Sequence, residues 1–114
     1  MFSMQITVRS LKHVELVTIT GRIDGEAVHE FENELRGLIE RNRRKIVLNL
    51  AETEYINSGA LRSMVSALKE CKRSSGNLVL ASVSNRVLDT MGLVGFNSLF
   101  ESFADVVSAV DSFS

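Results

Sequence analysis

The chain has 114 residues, of which 45% are hydrophobic and 24% are charged, and its formal net charge is −1. This length and composition indicate one domain with a real hydrophobic core, and they exclude a globally disordered chain. The lack of a basic excess argues against nucleic acid as the main partner, and the single cysteine excludes an internal disulfide, which fits a reducing compartment.

The sequence carries no sign of export or membrane insertion. Residues 1–5 lack the charged segment and long apolar run of a signal peptide. No stretch of the chain approaches the roughly 18 apolar residues of a membrane-spanning helix. We therefore expect a soluble, cytoplasmic protein that does not insert into a membrane.

The first two predicted elements form a hairpin. Polar and apolar residues alternate over residues 4–11, which is the period of a half-buried strand. Residues 14–20 are rich in β-branched side chains and predict a second strand, which ends at Gly21. Only Lys12 and His13 separate the two strands, so an antiparallel hairpin is expected.

A helix and a short buried strand follow the hairpin. Asp24 or Gly25 can cap a helix that runs to about Glu40. Residues 45–50 are mostly apolar, as expected of a central strand covered by helices, and residues 51–57 are expected to form a loop. One face of the helix carries a stripe of apolar side chains: Val28, Phe31, Leu35, Leu38 and Ile39.

The second half of the chain continues this alternation. A second helix is predicted from Ser58 to about Arg73, and a second inner strand over residues 77–81 follows Gly76. Ser84 can cap a third, short helix. The buried face of the second helix is expected to consist of regularly spaced residues: Leu61, Met64, Val65, Leu68 and Cys71.

The C-terminal segment predicts shorter elements. Gly92 is predicted to be the left-handed C-cap of the third helix, and Leu93 after it is predicted to make the hydrophobic contact of such a cap. Residues 99–101 predict a last short strand, and Asp105 can cap a terminal helix. Three apolar side chains are expected to close the core under that helix: Phe96, Leu99 and Phe100.

The predicted order of elements is therefore ββαβαβα(β)α. Alternating strands and helices indicate an α/β fold, because parallel strands need helical crossovers between them. We expect a single domain with a mixed, mostly parallel sheet of about four to five strands and about four helices.

The sequence contains no catalytic or metal-binding constellation. It lacks a Gly-rich phosphate loop, His13 and His29 stand apart, and one cysteine cannot build a zinc site. The basic run over residues 41–45 is interpreted as a solvated turn before a strand rather than as an anion site. Cys71 is interpreted as core filling. We expect neither enzymatic activity nor a bound metal or cofactor.

Ser58 is the residue that two interpretations fit. As a small polar residue that opens a helix, it can be an N-cap, and such a cap contributes about 1 kcal/mol. The same position can carry a phosphoryl group, because a helix N-terminus presents unsatisfied N–H groups and partial positive charge. The residues alone leave both interpretations open.

Several short segments share their order and spacing with one known family. They are Gly21-Arg22-Ile23-Asp24, Ile46-Val47-Leu48-Asn49-Leu50, Asn57-Ser58-Gly59-Ala60-Leu61, Gly92-Leu93, Leu99-Phe100 and residues 105–110. With these segments the chain resembles the STAS family, the bacterial anti-sigma factor antagonists, over nearly its whole length. The resemblance implies one STAS domain over residues 1–114.

The resemblance also implies a function. Members of the family bind an anti-sigma factor that is also a serine kinase, and this binding frees a sigma factor for transcription. The kinase phosphorylates the serine that opens the second helix, which abolishes binding, and a phosphatase restores it. Carried over to this sequence, the phosphoacceptor is Ser58. The expected partner-binding residues are Asp24, Asn57, Ser58, Gly59 and Arg62.

An alternative register would place the acceptor at Asn57, and the switch would then be lost. Helical spacing favours Ser58, which is followed at three, six and seven positions by apolar residues. The same offsets from Asn57 would place Ser63 in the core.

Three residues depart from the family pattern. Asn57 and Asn49 both stand where the family has an acidic residue, and both are expected to remove negative charge beside Ser58. Gly59 replaces a serine and is expected to loosen the first helical turn by up to about 1 kcal/mol.

Two other functions fit the same fold. The domain could be a docking subunit without a switch in a stress-signalling or lipid-transport complex. A small-molecule or nucleotide-binding module is less favoured, because the sequence supplies no phosphate-cradling glycines. The oligomeric state is left open.

Overall fold

A computed structural model describes residues 4–93 and 98–114, apart from the side chain of Leu93. The predicted contact of that side chain and the position of Phe96 lie outside the described residues. Within them the elements are β1 (Met4–Leu11), β2 (Val14–Ile23), α1 (Ala27–Glu40), β3 (Lys45–Ile56), α2 (Ser58–Arg73), β4 (Asn77–Ala81), α3 (Asn85–Leu93), β5 (Ser102–Phe103) and α4 (Val106–Asp111).

The strands form one five-stranded sheet in the order β1-β2-β3-β4-β5. β1 pairs antiparallel with β2, as the predicted hairpin requires, and every later pair is parallel. Lys12 in the hairpin turn has a φ of 59°, a left-handed conformation that closes the two-residue connection. The predicted element order and the mixed, mostly parallel sheet are confirmed.

Helices cover both faces of the sheet. α1, α2 and α3 pack on one face over the larger core cluster, and α4 packs on the other face over a smaller cluster. Successive residues of β3 and β4 alternate between the two clusters, which is the period of a strand buried on both sides. Ile46, Leu48, Leu78 and Leu80 face the larger cluster, whereas Val47, Val79 and Ala81 face α4.

β3 is much longer than predicted. The expected loop over residues 51–57 is wrong, because β3 continues to Ile56 and pairs there with the end of β2. The register shifts between Thr18 and Thr20, and this irregularity interrupts the apolar alternation that marks a strand. Beyond the shift, the buried Thr53 donates a hydrogen bond from Oγ1 to the Ile19 carbonyl at 2.8 Å.

Neither of the two residues predicted to cap α1, Asp24 or Gly25, is its N-cap. Glu26 is the N-cap residue and makes no side-chain capping hydrogen bond. The carboxylate of Asp24 instead pairs with Arg22 at 3.1 Å, while the Asp24 carbonyl accepts the N–H of Ala27 at 3.0 Å. Gly25 has a φ of 54°, so its role is to turn the backbone into the helix.

Two of the later caps are confirmed. The Ser84 hydroxyl accepts the N–H of Val87 at 3.2 Å and opens α3. The Asp105 carboxylate accepts the N–H of Ser108 at 2.7 Å and opens α4. This backbone hydrogen bond stabilises the charged carboxylate and lowers the pKa of Asp105.

Other predictions for the C-terminal segment are wrong. Gly92 lies within α3 and does not have the left-handed φ of a C-cap. The last strand is Ser102–Phe103 rather than residues 99–101. Leu99 is 47% exposed, and Phe100 packs in the larger cluster, on the face opposite α4. The aromatic residues that pack in the smaller cluster with α4 are Phe103 and Phe113.

Candidate functional site

Ser58 is the first residue of α2, but Asn57 is its cap. The Asn57 Oδ1 atom accepts the N–H of Ala60 at 2.8 Å, so the interpretation of Ser58 as N-cap is wrong. Both residues are good capping types, and the side chain one position earlier takes the role here. The Ser58 side chain is exposed, and its hydroxyl has no hydrogen-bond partner among the described residues.

The backbone around Ser58 offers two donors. Asn57 donates its N–H to the Ile23 carbonyl at 3.1 Å, and Leu61 donates to the Asn57 carbonyl at 3.0 Å. Between them, the N–H groups of Ser58 and Gly59 have no acceptor within the described part of the chain. These two donors lie at the positive end of the helix dipole, so the turn can accept an added anionic group.

Gly59 leaves space beside Ser58, and a cation lies close to it. A Cβ atom placed on Gly59 would be 3.5 Å from Asn57 Oδ1, 3.6 Å from Val28 Cγ1 and 4.0 Å from an Arg62 guanidinium nitrogen. Arg62 is four residues after Ser58, which is the spacing at which helical side chains meet. The first turn of α2 therefore combines an exposed hydroxyl, free N–H groups and a positive side chain.

Replacing Gly59 with alanine is expected to raise the free energy of unfolding by about 0.5–1 kcal/mol. The added methyl group would make only ordinary van der Waals contacts, and alanine loses less backbone entropy than glycine in a helix. Urea unfolding of Gly59→Ala and wild type measures the difference. A lower free energy of unfolding in the variant would contradict this account of the first turn.

Asp24 lies at the same end of the strands as the first turn of α2. It follows Ile23, which is paired with Ile56 at the end of β3. Its partner Arg22 also stacks over the Tyr55 ring, with 4.4 Å between the guanidinium carbon and the ring centroid. The structure thus brings the ends of β2 and β3 together with Asn57. In the described residues, no hydrogen bond joins Asp24 to the first turn of α2.

Asn49 does not lie beside Ser58. It is within β3, seven residues before the end of the strand, and at about 3.3 Å per residue this is a separation of roughly 20 Å. Its amide donates to Thr18 Oγ1 at 3.4 Å and its Oδ1 accepts the N–H of Ala51 at 3.2 Å. The expectation that Asn49 removes charge beside Ser58 is wrong, because β3 is longer than predicted.

A groove between α1 and α2 begins at the same turn. Sequence reasoning missed this groove, because the contact between two helix faces depends on how they pack. The sequence gives one signal for the groove: Val28 belongs to the apolar stripe of α1, which marks the face that α1 turns toward its neighbours. The groove has a volume of about 290 Å³ and is lined by Val28, Glu32, Gly59, Arg62, Ser63 and Ser66.

Among residues 4–93 and 98–114, no group of three or more metal-ligating side chains comes together. No helix within the same residues is long and apolar enough to span a bilayer.

The lone cysteine, Cys71, is buried in the core, and burial raises the pKa of its thiol to about 11. Its interpretation as core filling is confirmed.

Comparison with known proteins gives the family. The sequence pattern of the STAS domain matches residues 5–109. The chain belongs to the STAS domain family. BtrV of Bordetella bronchiseptica, provisionally named an anti-sigma factor antagonist, is 26% identical over 97 residues, which cover 85% of this chain and 84% of that protein.

Solved structures show the same STAS fold. The unphosphorylated form of the anti-sigma factor antagonist SpoIIAA superposes with a TM-score of 0.83 at 15% identity, covering 96% of each chain. The phosphorylated form of Bacillus SpoIIAA gives 0.76 at 14% identity, covering 96% of this chain and 100% of that one. A sulfate transporter family protein from Wolinella succinogenes gives 0.69 at 17% identity, covering 90% and 85%.

Proposed function

We propose that this STAS domain is a cytoplasmic anti-sigma factor antagonist switched off by phosphorylation at Ser58. In the active form it binds an anti-sigma factor that is a serine kinase, and a sigma factor is released. The observation that carries the proposal is the exposed Ser58 hydroxyl beside two N–H groups without acceptors. The name of the relative BtrV and the existence of SpoIIAA in two phosphorylation states support the same assignment.

The local geometry supports phosphoryl transfer to Ser58. The γ-phosphoryl group of ATP would pass to Ser58 Oγ, with loss of the hydroxyl proton and release of ADP. Because Asn57 is the cap, the Ser58 hydroxyl can react without breaking a capping hydrogen bond. The phosphate could then accept from the free N–H groups and pair with Arg62, four residues along the helix. A phosphatase would hydrolyse the phosphoester and restore the neutral serine.

The same geometry supports a switch that acts through charge. Phosphorylation adds nearly two negative charges at about pH 7 to a surface whose proposed contacts are Asp24, Asn57, Ser58, Gly59 and Arg62. The helix would stay capped by Asn57, so no large rearrangement of the fold is needed. Loss of binding then follows from repulsion and from the unfavourable desolvation of the phosphate in the interface.

Phosphorylation itself is tested with the cognate kinase. The kinase is captured from the source cells on the wild-type domain and identified by mass spectrometry, then incubated with the domain and ATP. We expect one phosphate, located on Ser58, and none on Ser58→Ala. A phosphate on another residue, or none with a kinase that binds the domain, would contradict the switch.

A docking subunit without a switch is the second candidate. The neutral amide of Asn57, where the family has an acidic residue, removes a contact that a kinase could use. The fold is shared with a sulfate transporter family protein, and this likeness supports a setting other than sigma-factor control. A tight partner complex that Ser58→Asp leaves intact would select this candidate.

A further inference from the structure

The C-terminal ends of α1 and α2 lie side by side, at the end of the domain away from Ser58. Just after α1, the N–H groups of Asn42 and Arg43 donate to the carbonyls of Ile39 and Leu38 at 3.0 and 2.8 Å, respectively. Asn42 has a φ of 63°, so the turn is a Schellman motif. The carbonyls of Leu38 and Ile39 in the last turn thereby accept hydrogen bonds.

α2 ends in the same way. Ser75 has a φ of 64°, and the N–H groups of Ser75 and Gly76 bond to the carbonyls of Lys72 and Cys71 at 3.3 and 2.8 Å. The N–H of Asn77 then bonds to the Arg44 carbonyl at 3.0 Å, which fixes the two turns to each other. The basic run after α1 is therefore held in a defined structure.

These two turns and the hairpin of β1 and β2 enclose a cleft of about 420 Å³, called here the basic cleft. Every polar side chain in its lining can donate a hydrogen bond, and none is a carboxylate. The lining consists of His13, Asn42, Arg43, Arg44, Lys45, Ser74 and Gly76.

The positive charge of the basic cleft is only partly neutralised. Arg43 lies 3.8 Å from the buried carboxylate of Glu15, and Lys45 forms no ion pair within the described residues. Arg44 donates from one guanidinium nitrogen to the Glu70 carbonyl at 2.8 Å, while its Nε is buried without a partner in the described part of the chain. Arg43 and Lys45 thus share one concave site with the Glu15 carboxylate. Arg44 also lines the groove between α1 and α2, where Glu40 and Glu70 lie.

We propose that the basic cleft binds a phosphate dianion, either as free phosphate or as the phosphoryl group of a small phosphate monoester. Guanidinium groups match the oxygens of a phosphoryl group, and charge-assisted hydrogen bonds to them are the strong ones. The cleft lies at the far end of α2, so at about 1.5 Å per residue over 16 residues it is roughly 24 Å from Ser58. This binding function is independent of the proposed switch. It would make residues 41–45 part of an anion site rather than the solvated turn expected from the sequence.

The test is an NMR titration of the folded chain. Amide shifts are followed while sodium phosphate, adenosine monophosphate or sodium chloride is added at matched ionic strength. Saturable shifts at residues 42–45 and 74–76 are expected with phosphate and not with chloride. Tighter binding of the nucleotide than of phosphate would identify a monoester as the ligand, whereas weaker binding would identify free phosphate.

Variants locate the site. Lys45→Gln is expected to weaken phosphate binding about tenfold, which is the loss of one charge-assisted hydrogen bond. Arg86→Gln removes the same charge from an exposed position of α3, and this variant should bind phosphate as wild type does. Arg43→Gln could also destabilise the fold through Glu15, so Lys45→Gln is the deciding variant.

Two results would overturn the proposal. One is the absence of saturable shifts with phosphate, or equal shifts with chloride. The other is a lower melting temperature of Lys45→Gln with unchanged phosphate binding, since the cations would then serve only to stabilise the ends of the helices.

Discussion

Replacing Ser58 with aspartate is expected to weaken partner binding about a hundredfold, which corresponds to about 2.8 kcal/mol. The reason is that a carboxylate at the exposed first position of α2 places a fixed negative charge in the centre of the proposed contact surface. The measurement is calorimetric titration of the purified anti-sigma partner with wild type and Ser58→Asp.

The fold should tolerate this change. The Ser58 side chain is exposed and without a hydrogen-bond partner in the described residues, and the cap of α2 belongs to Asn57. An aspartate in the first turn is also favoured by the helix dipole. We therefore expect the melting temperature of Ser58→Asp to match or exceed that of wild type, which separates loss of binding from loss of structure.

Ser108 provides a matched control. It is an exposed serine in the first turn of α4, which packs on the opposite face of the sheet. Ser108→Asp adds the same charge on that opposite face and should bind the partner as wild type does, although it removes the hydrogen bond from the Ser108 hydroxyl to Asp105. If Ser58→Asp also binds as wild type does, the charge switch is wrong and the domain is a docking subunit without one.

Much of the fold could be predicted because hydrophobic periodicity decides it. The hairpin and α2 each present a repeat that only one kind of element satisfies, whereas the central strands were predicted from short apolar runs between helices. The end of β3 could not be predicted, since the irregular pairing with β2 interrupts the alternation. Thr53 illustrates this limit: its burial depends on a hydrogen bond to the Ile19 carbonyl of the neighbouring strand.

The candidate site could be located from sequence but not resolved in detail. Asn57 and Ser58 are both good caps, and propensity cannot say which side chain closes the turn. That choice matters, because capping by Asn57 leaves the Ser58 hydroxyl free. The basic cleft was missed for a different reason, since Ser74 and Gly76 reach it from a turn thirty residues away in the chain.

Replacing Gly76 with alanine is expected to lower the free energy of unfolding by about 3 kcal/mol. A Cβ atom at this position would lie 2.0 Å from the Arg44 carbonyl oxygen and 2.8 Å from its carbon, and both are backbone atoms that cannot rotate away. The close approach is what requires glycine here. The backbone conformation does not require it, since the φ of Gly76 lies outside the left-handed region.

The cost of Gly76→Ala should be large because the contact is part of a hydrogen-bonded junction. Moving the Arg44 carbonyl aside would break its bond from the Asn77 N–H, and moving Gly76 would break its bond to the Cys71 carbonyl. Urea unfolding measures the change, and Gly59→Ala is the control, because the same substitution there meets only ordinary contacts. An unchanged unfolding midpoint in Gly76→Ala would mean that the ends of α1 and α2 can separate without cost. The two turns would then not form the rigid wall that the basic cleft requires.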